Sequence, residues 1–254
     1  MQIIRKKKGT DIMKLQKLLS YMRKAVDDYE MIEENDKIAI GISGGKDSLT
    51  LLTGMAGLKR FYPKKFEIVP IAVSLGFGSD YSEVSAYCES LGYPLHIVET
   101  QIGDIIFNER KETNPCSLCA KMRKGALNDA ASSLGCNKIA LGHNKDDIVE
   151  TFYMSLFFEA RIYTFAPVTF LDRKELYSIR PLMYVREGEA WSFAAKNNIP
   201  ILKNLCPADG NTKREEIKQL IKDLSGTYDN LLGKTFSAIQ RSGIRGWTPK
   251  RHVK

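Results

Sequence analysis

Lys37-Ile38-Ala39-Ile40-Gly41-Ile42-Ser43-Gly44-Gly45-Lys46-Asp47-Ser48-Leu49-Thr50-Leu51-Leu52 passes from an apolar, β-rich run through a glycine turn into a helix-forming run. In that order, strand, turn and helix build an anion cradle. Gly44 and Gly45 let the backbone turn tightly and aim its amides at an anion, and the start of a helix adds its dipole. Ser43, Ser48 and Lys46 supply hydroxyl and ammonium donors. Phosphate is the expected ligand. The spacing is not that of the common P-loop, because three residues rather than four separate Gly41 from Gly45, and Asp47 follows Lys46 where Ser or Thr is usual. Nor is it a dinucleotide fingerprint.

Outward from this loop, further β-rich runs at 66–75, 94–99 and 138–141 alternate with helical stretches, one of them at 83–91. Such alternation predicts an α/β fold with a parallel sheet. Fully apolar strands such as Ile38-Ala39-Ile40 fit a sheet covered on both faces, and ligands then gather beyond the carboxyl ends of the strands. Leu15, Leu18, Leu19 and Met22 recur at helical spacing and predict an N-terminal helix packed on the core. After Pro207 the chain turns helical and charged, at 213–224 and 228–240. The expected organisation is one main domain at 37–206, a helical N-terminal extension at 1–36 and a helical C-terminal extension at 207–254.

The 254 residues are 43% apolar and 27% charged, enough for one substantial core. No apolar run approaches the roughly 20 residues of a membrane span, and the first 20 positions lack the apolar stretch of a secretory signal. The reading is a cytoplasmic protein with no membrane partner. Net charge is +8, of which residues 1–24 carry +7 and residues 241–254 carry +5, leaving −4 on the body between them. Basic ends of this kind either hold phosphate backbones or keep a protein soluble. Trp247, among Arg245, Lys250 and Arg251, leans towards RNA, because an aromatic ring can stack on a base.

Five cysteines are too few for a disulfide framework. Cys116-Ser117-Leu118-Cys119 has the two-residue gap that lets both thiolates reach one metal centre. No second such pair exists, which excludes a Cys₄ zinc ribbon. Cys88 and Cys136 read as small buried thiols, whereas Cys206, in Asn204-Leu205-Cys206-Pro207, lies in a turn able to reach the same face. Three thiolates with one open position suit an iron centre that holds a sulfide for transfer, but a Cys₃His zinc site with His143 remains equally open on spacing alone. Asp146 and Asp147 after a strand suit either Mg²⁺ or a helix cap.

The loop at residues 43–48 resembles the pyrophosphate-binding loop of the PP-loop ATP pyrophosphatase superfamily, with its Rossmann-like, adenine nucleotide alpha hydrolase-like domain. The resemblance narrows to the tRNA 2-thiocytidine synthetase group. It runs through Met31-Ile32-Glu33-Glu34, Cys116-Ser-Leu-Cys119 with Met122-Arg123-Lys124-Gly125, Lys138-Ile-Ala-Leu-Gly142-His143-Asn-Lys-Asp146-Asp147-Ile148, Ile179-Arg180-Pro181-Leu182 and Asn204-Leu205-Cys206. It implies that ATP is split between its α and β phosphates, with Ser43, Gly44, Gly45, Lys46 and Ser48 on the phosphates and Asp47 assisting them or their Mg²⁺. It implies adenosine beside the strand-end segment Ala72-Val73-Ser74, with Gly142, His143 and Asp147 in the nucleotide or metal neighbourhood. It also implies a [4Fe-4S] cluster on Cys116, Cys119 and Cys206, and Arg180 as a contact for phosphate or RNA. The activity so implied is adenylation of the C2 oxygen of cytidine 32 in tRNA and its replacement by sulfur. A donor such as a cysteine desulfurase system would supply the sulfur, and the enzyme would be a homodimer.

The sequence departs from the group at three loops: Phe158-Glu159-Ala160-Arg161 stands where a Gly-Gly pair is usual, Pro207-Ala208-Asp209-Gly210 follows Cys206, and the Gly76-Phe77-Gly78-Ser79 loop is short. These leave thiolation of another nucleoside or of a non-tRNA substrate as the alternative. Attack by an amine, as in lysidine formation, needs no cysteine centre. A non-catalytic, zinc-stabilised RNA-binding module is the rival from another class.

Overall fold

The computed structural model describes residues 13–110, 115–203, 205–206 and 212–249. The basic clusters at 5–8 and 250–254, and the turn after Cys206, lie outside the described residues.

In chain order the elements are α1 (Leu15–Asp28), β1 (Asp36–Ile42), α2 (Lys46–Lys59), β2 (Phe66–Ser74), α3 (Ser82–Ser90) and β3 (His96–Glu99). A short turn, α4 (Ile102–Asp104), runs on as a π-helix over Ile105–Glu109, followed by α5 (Pro115–Ser133), β4 (Lys138–Ala140) and α6 (Lys145–Glu159). Then come β5 (Val168–Leu171), β6 (Leu176–Ile179), α7 (Glu187–Lys196), α8 (Lys213–Thr227) and α9 (Leu231–Arg241). The six strands form one sheet in the order β3-β2-β1-β4-β6-β5. All neighbours are parallel except β5, which runs antiparallel to β6 at the edge. The expected parallel α/β sheet is therefore present. β5 and β6 are additional to the strands expected from the sequence, and they take their place by pairing with each other and with β4.

Strand alternation sorts the core into two faces. Ile38, Ile40 and Ile42 of β1 join Leu18 and Met22 of α1, Leu49 and Leu52 of α2, Ile148 of α6 and Phe193 of α7 on one face. Ala39 joins Ile71, Ile139 and Ala131 of α5 on the other. The N-terminal helix and α8 and α9 share the first of these cores through Leu18, Met22, Ile217, Ile221, Leu232 and Phe236.

Trp247 belongs to that core as well, which corrects its reading as an RNA-stacking residue. It is fully buried, edge-on to Tyr29 and Phe236 at 6.3 and 5.7 Å between ring centroids. Its carbonyl accepts a hydrogen bond from the Tyr29 hydroxyl. A large ring gains more from this apolar pocket than from water. Cys88 and Cys136 are buried thiols. Among the described residues no helix is long and apolar enough to cross a membrane.

Candidate active site

β1 delivers the chain to the turn, and Gly44 makes it at φ +79°, the left-handed region open to glycine. The Ser48 hydroxyl donates to the Gly45 carbonyl at 2.8 Å and accepts from the Ser43 amide at 3.2 Å, holding the loop around the first turn of α2. That helix starts at Gly45 with no side-chain cap. By contrast, α6 is closed by a capping box in which Asn144 accepts from the Asp146 and Asp147 amides and Asp147 accepts from the Asn144 amide. The amides of α2 are thus the ones left to meet an anion. Gly142 lets the two elements close up, because a β-carbon there would stand 3.0 Å from the Ser48 nitrogen.

Over this loop lies a charged network that spacing alone did not reveal. The Lys46 ammonium is 2.9 Å from Asp47, 3.1 Å from Glu187 and over the ring of Trp191. Glu187 also takes Lys218 of α8 at 3.2 Å, and Arg214 of the same helix reaches Asp147 and Glu150 at 3.4 and 3.0 Å. Asp146, read as either Mg²⁺ ligand or cap, instead pins the start of α7 by accepting from Arg186 and from the Glu187 amide. A glutamate opening a helix and two cations in a charged helix look like ordinary surface residues in sequence. Only the packing of α7 and α8 beside α2 and α6 brings them to the glycine turn.

Burial raises the carboxyls of Asp47 and Asp147, against Lys46 on the first and the Asn144 amide and Arg214 on the second. The charges of Asp47 and Glu187 push Asp147 up further. This like-charge proximity fits a divalent cation. Among the described residues no three His, Cys, Asp or Glu side chains are drawn together tightly enough to hold an ion alone. Mg²⁺ on Asp47 and Asp147 would complete its shell from phosphate and water, its usual mode.

Glu150 is only 3% exposed. Burial pushes its carboxyl from 4.5 up to about 7, against the pull of Lys218 and Arg214. Between those values the folded protein keeps a proton that the unfolded chain releases, so this group's contribution to stability falls as pH rises through the window. Glu150→Gln is expected to remove that fall, so that melting temperature declines less from about pH 5 to about pH 8 than in the parent protein. Equal slopes in thermal melts would show that Glu150 does not titrate there.

Behind the loop is a cavity of about 460 Å³ at the carboxyl ends of the strands, lined by Ser43, Asp47, Val73, Arg123, Gly142 and His143 among others. His143 Nδ1 and Ser178 Oγ, both at its wall, are buried with no hydrogen-bond partner among the described residues. Unpaired buried polar atoms are costly. Burial first, then the charges of Arg180, Arg214 and Lys124, lower His143 to about 3, so it works as a neutral imidazole.

The structure places two of the expected contact regions as follows. The Ala72 side chain is fully buried in the opposite face, and its neighbours Ile71 and Val73 line the cavity, because successive residues of β2 alternate. Arg180 is 7% exposed, donates to the Ala166 carbonyl at 2.5 Å and lies over Phe165, which in turn stacks on His143. It braces the rear wall of the site.

Cys116 and Cys119 sit one turn apart at the start of α5, where Pro115 occupies the first helical position, which needs no N–H. Burial raises the Cys119 thiol, Arg123 opposes this, and the charges of Cys206 and Cys116 add to it. The three thiols therefore share one electrostatic neighbourhood. No disulfide joins any of the five cysteines. The segment leading to Cys206 is fastened to the glycine turn, since the Leu202 amide donates to the Gly44 carbonyl at 2.9 Å.

The chain matches the PP-loop domain family over residues 12–224. It is 37% identical over 239 residues to the tRNA-cytidine(32) 2-sulfurtransferase of Geobacter sulfurreducens, a match covering 92% of this chain and 90% of that one. The corresponding Geobacter metallireducens protein is 37% identical over 218 residues, covering 84% and 85%. Among solved structures, the U34-tRNA thiolase NcsA from Methanococcus maripaludis, with its [4Fe-4S] cluster, superimposes with a TM-score of 0.72 at 22% identity over 90% of this chain and 79% of that one. That likeness supports the fold. The uncapped glycine turn on a parallel sheet and the extent of these matches lead to one conclusion: the chain belongs to the PP-loop domain family, within the group formed by the tRNA-cytidine(32) 2-sulfurtransferases.

Proposed function

We propose that this chain is an ATP-dependent tRNA sulfurtransferase that converts cytidine 32 to 2-thiocytidine. The base C2 oxygen attacks the α-phosphorus of ATP and pyrophosphate leaves, after which sulfur takes the place of the adenylated oxygen and AMP departs. The amides of the glycine turn, with Ser43, Ser48 and Lys46, hold the phosphates in line, and position is most of what such a transfer requires. Mg²⁺ on Asp47 and Asp147 would neutralise phosphate charge. A [4Fe-4S] cluster on Cys116, Cys119 and Cys206 would supply the site that carries sulfur, delivered from a donor such as a cysteine desulfurase system. His143, neutral and unpaired at Nδ1, offers one hydrogen bond to the nucleotide. The reaction would run where tRNA is, in the cytoplasm.

The observation that supports this reading is the bond from the Leu202 amide to the Gly44 carbonyl, which ties the chain four residues before Cys206 to the glycine turn. The test is mass spectrometry of nucleosides in tRNA from cells with and without the protein. Selective loss of 2-thiocytidine is expected. Loss of a different thionucleoside would overturn the choice of base, and an unchanged profile would overturn tRNA thiolation.

A further inference from the structure

Glu187 Oε1 accepts from two ammonium groups, Lys46 Nζ at 3.1 Å and Lys218 Nζ at 3.2 Å. The two lysines come from elements far apart in the chain, α2 and α8. Lys46 is largely enclosed, with 12% of its side chain exposed, and Lys218 is about one-third exposed. Two cations sharing one carboxylate oxygen repeat the arrangement in which cations share a phosphate oxygen. The backbone beneath that carboxylate is pinned, because the Glu187 amide donates to Asp146. Only side-chain torsions need to change for the carboxylate to swing aside while both lysines stay in place.

Resting on the proposed ATP chemistry, we propose that Lys218 is a second phosphate-binding cation. Together with Lys46 it takes the β- and γ-phosphates of ATP, and the pyrophosphate they become, by displacing Glu187. The surroundings agree with this role. Asp47 stands 2.9 Å from Lys46 and Glu215 3.9 Å from Lys218, so each ammonium keeps a carboxylate nearby when Glu187 moves aside. A role confined to bracing α8 would not need Lys218 on the same oxygen as the loop lysine, since Glu215 stands 3.9 Å away as a partner on its own helix.

The test is calorimetric titration of the full chain with pyrophosphate, ATP and AMP. Lys218→Gln is expected to weaken pyrophosphate and ATP by about tenfold to a hundredfold, the worth of one charge-assisted hydrogen bond, and to leave AMP within about twofold. Lys218→Arg should recover most of the loss. Glu187→Gln, which removes the competing anion, should tighten pyrophosphate several-fold. Unchanged pyrophosphate affinity in Lys218→Gln, or equal weakening of AMP, would overturn the assignment. Lys46→Gln separates the two levels of inference. If it weakens pyrophosphate and Lys218→Gln does not, the phosphate loop stands and Lys218 is excluded; if the parent protein binds neither ATP nor pyrophosphate, the ATP reading itself fails.

Discussion

Cys206→Ala is expected to bring 2-thiocytidine formation below detection while leaving ATP affinity within about twofold of the parent protein. The asymmetry follows from where the residue sits. Cys206 is four residues beyond Leu202, whose amide holds the glycine turn, so the backbone anchor survives when the thiol is removed. The proposed phosphate donors Ser43, Lys46 and Ser48 lie in the glycine turn and the first turn of α2 and are untouched. The variant retains the Cys116 and Cys119 pair on α5, and two thiols hold a cluster far less well than three. Three measurements on one preparation check this: nucleoside mass spectrometry on tRNA, calorimetry with ATP, and iron content with its visible absorption. Full thiolation by the variant would remove Cys206 from the sulfur-carrying site. Loss of ATP binding together with thiolation would mean that Cys206 acts through the fold.

Much of the fold was legible because its signals are local. The run from Lys37 to Leu52 contains strand, turn and helix within sixteen consecutive positions, and the apolar runs that became β2, β3 and β4 are long or pure enough to stand out. β5 and β6, no shorter than β3 and β4, were not legible, because Thr169, Tyr177 and Ser178 blur their apolar pattern and it is pairing with each other and with β4 that makes them strands. Trp247 was misread for a related reason. Charge around an aromatic in sequence says nothing about which core will receive it, and here Tyr29, 218 positions away, does so. The site divides along the same line. The donors of the glycine turn are contiguous, whereas Glu187, Arg214 and Lys218 reach it only because α7 and α8 pack beside α2 and α6. In the segment Ala72-Val73-Ser74, Val73 faces the cavity and Ala72 the core, because successive strand residues alternate.

Gly44→Ala is expected to abolish ATP binding and thiolation together, in contrast to Cys206→Ala, and to lower the melting temperature by about 5 to 10 °C. Two costs combine. A side chain at φ +79° sits in the left-handed region, at about 1 to 2 kcal/mol for alanine. Its β-carbon would also stand 2.5 Å from Leu202 Cβ and 2.8 Å from Leu202 Cδ2, closer than such atoms approach. The first of these neighbours is fixed to the backbone, so the overlap is relieved only by moving the chain around Leu202, at roughly 1 to 3 kcal/mol for an overpacked contact. That movement stretches the bond from the Leu202 amide to the Gly44 carbonyl, and the phosphate loop and the cysteine segment part at the same point. Gly45 supplies the control. It is not at positive φ, and a β-carbon there meets only the Ser43 hydroxyl oxygen, at 3.4 Å. Gly45→Ala should therefore cost much less in melting temperature, whatever it does to phosphate binding. Equal losses of stability in the two variants would show that the left-handed turn and its contact with Leu202 do not hold the site together. A large loss confined to Gly44→Ala would place the junction of the two half-sites at that one contact.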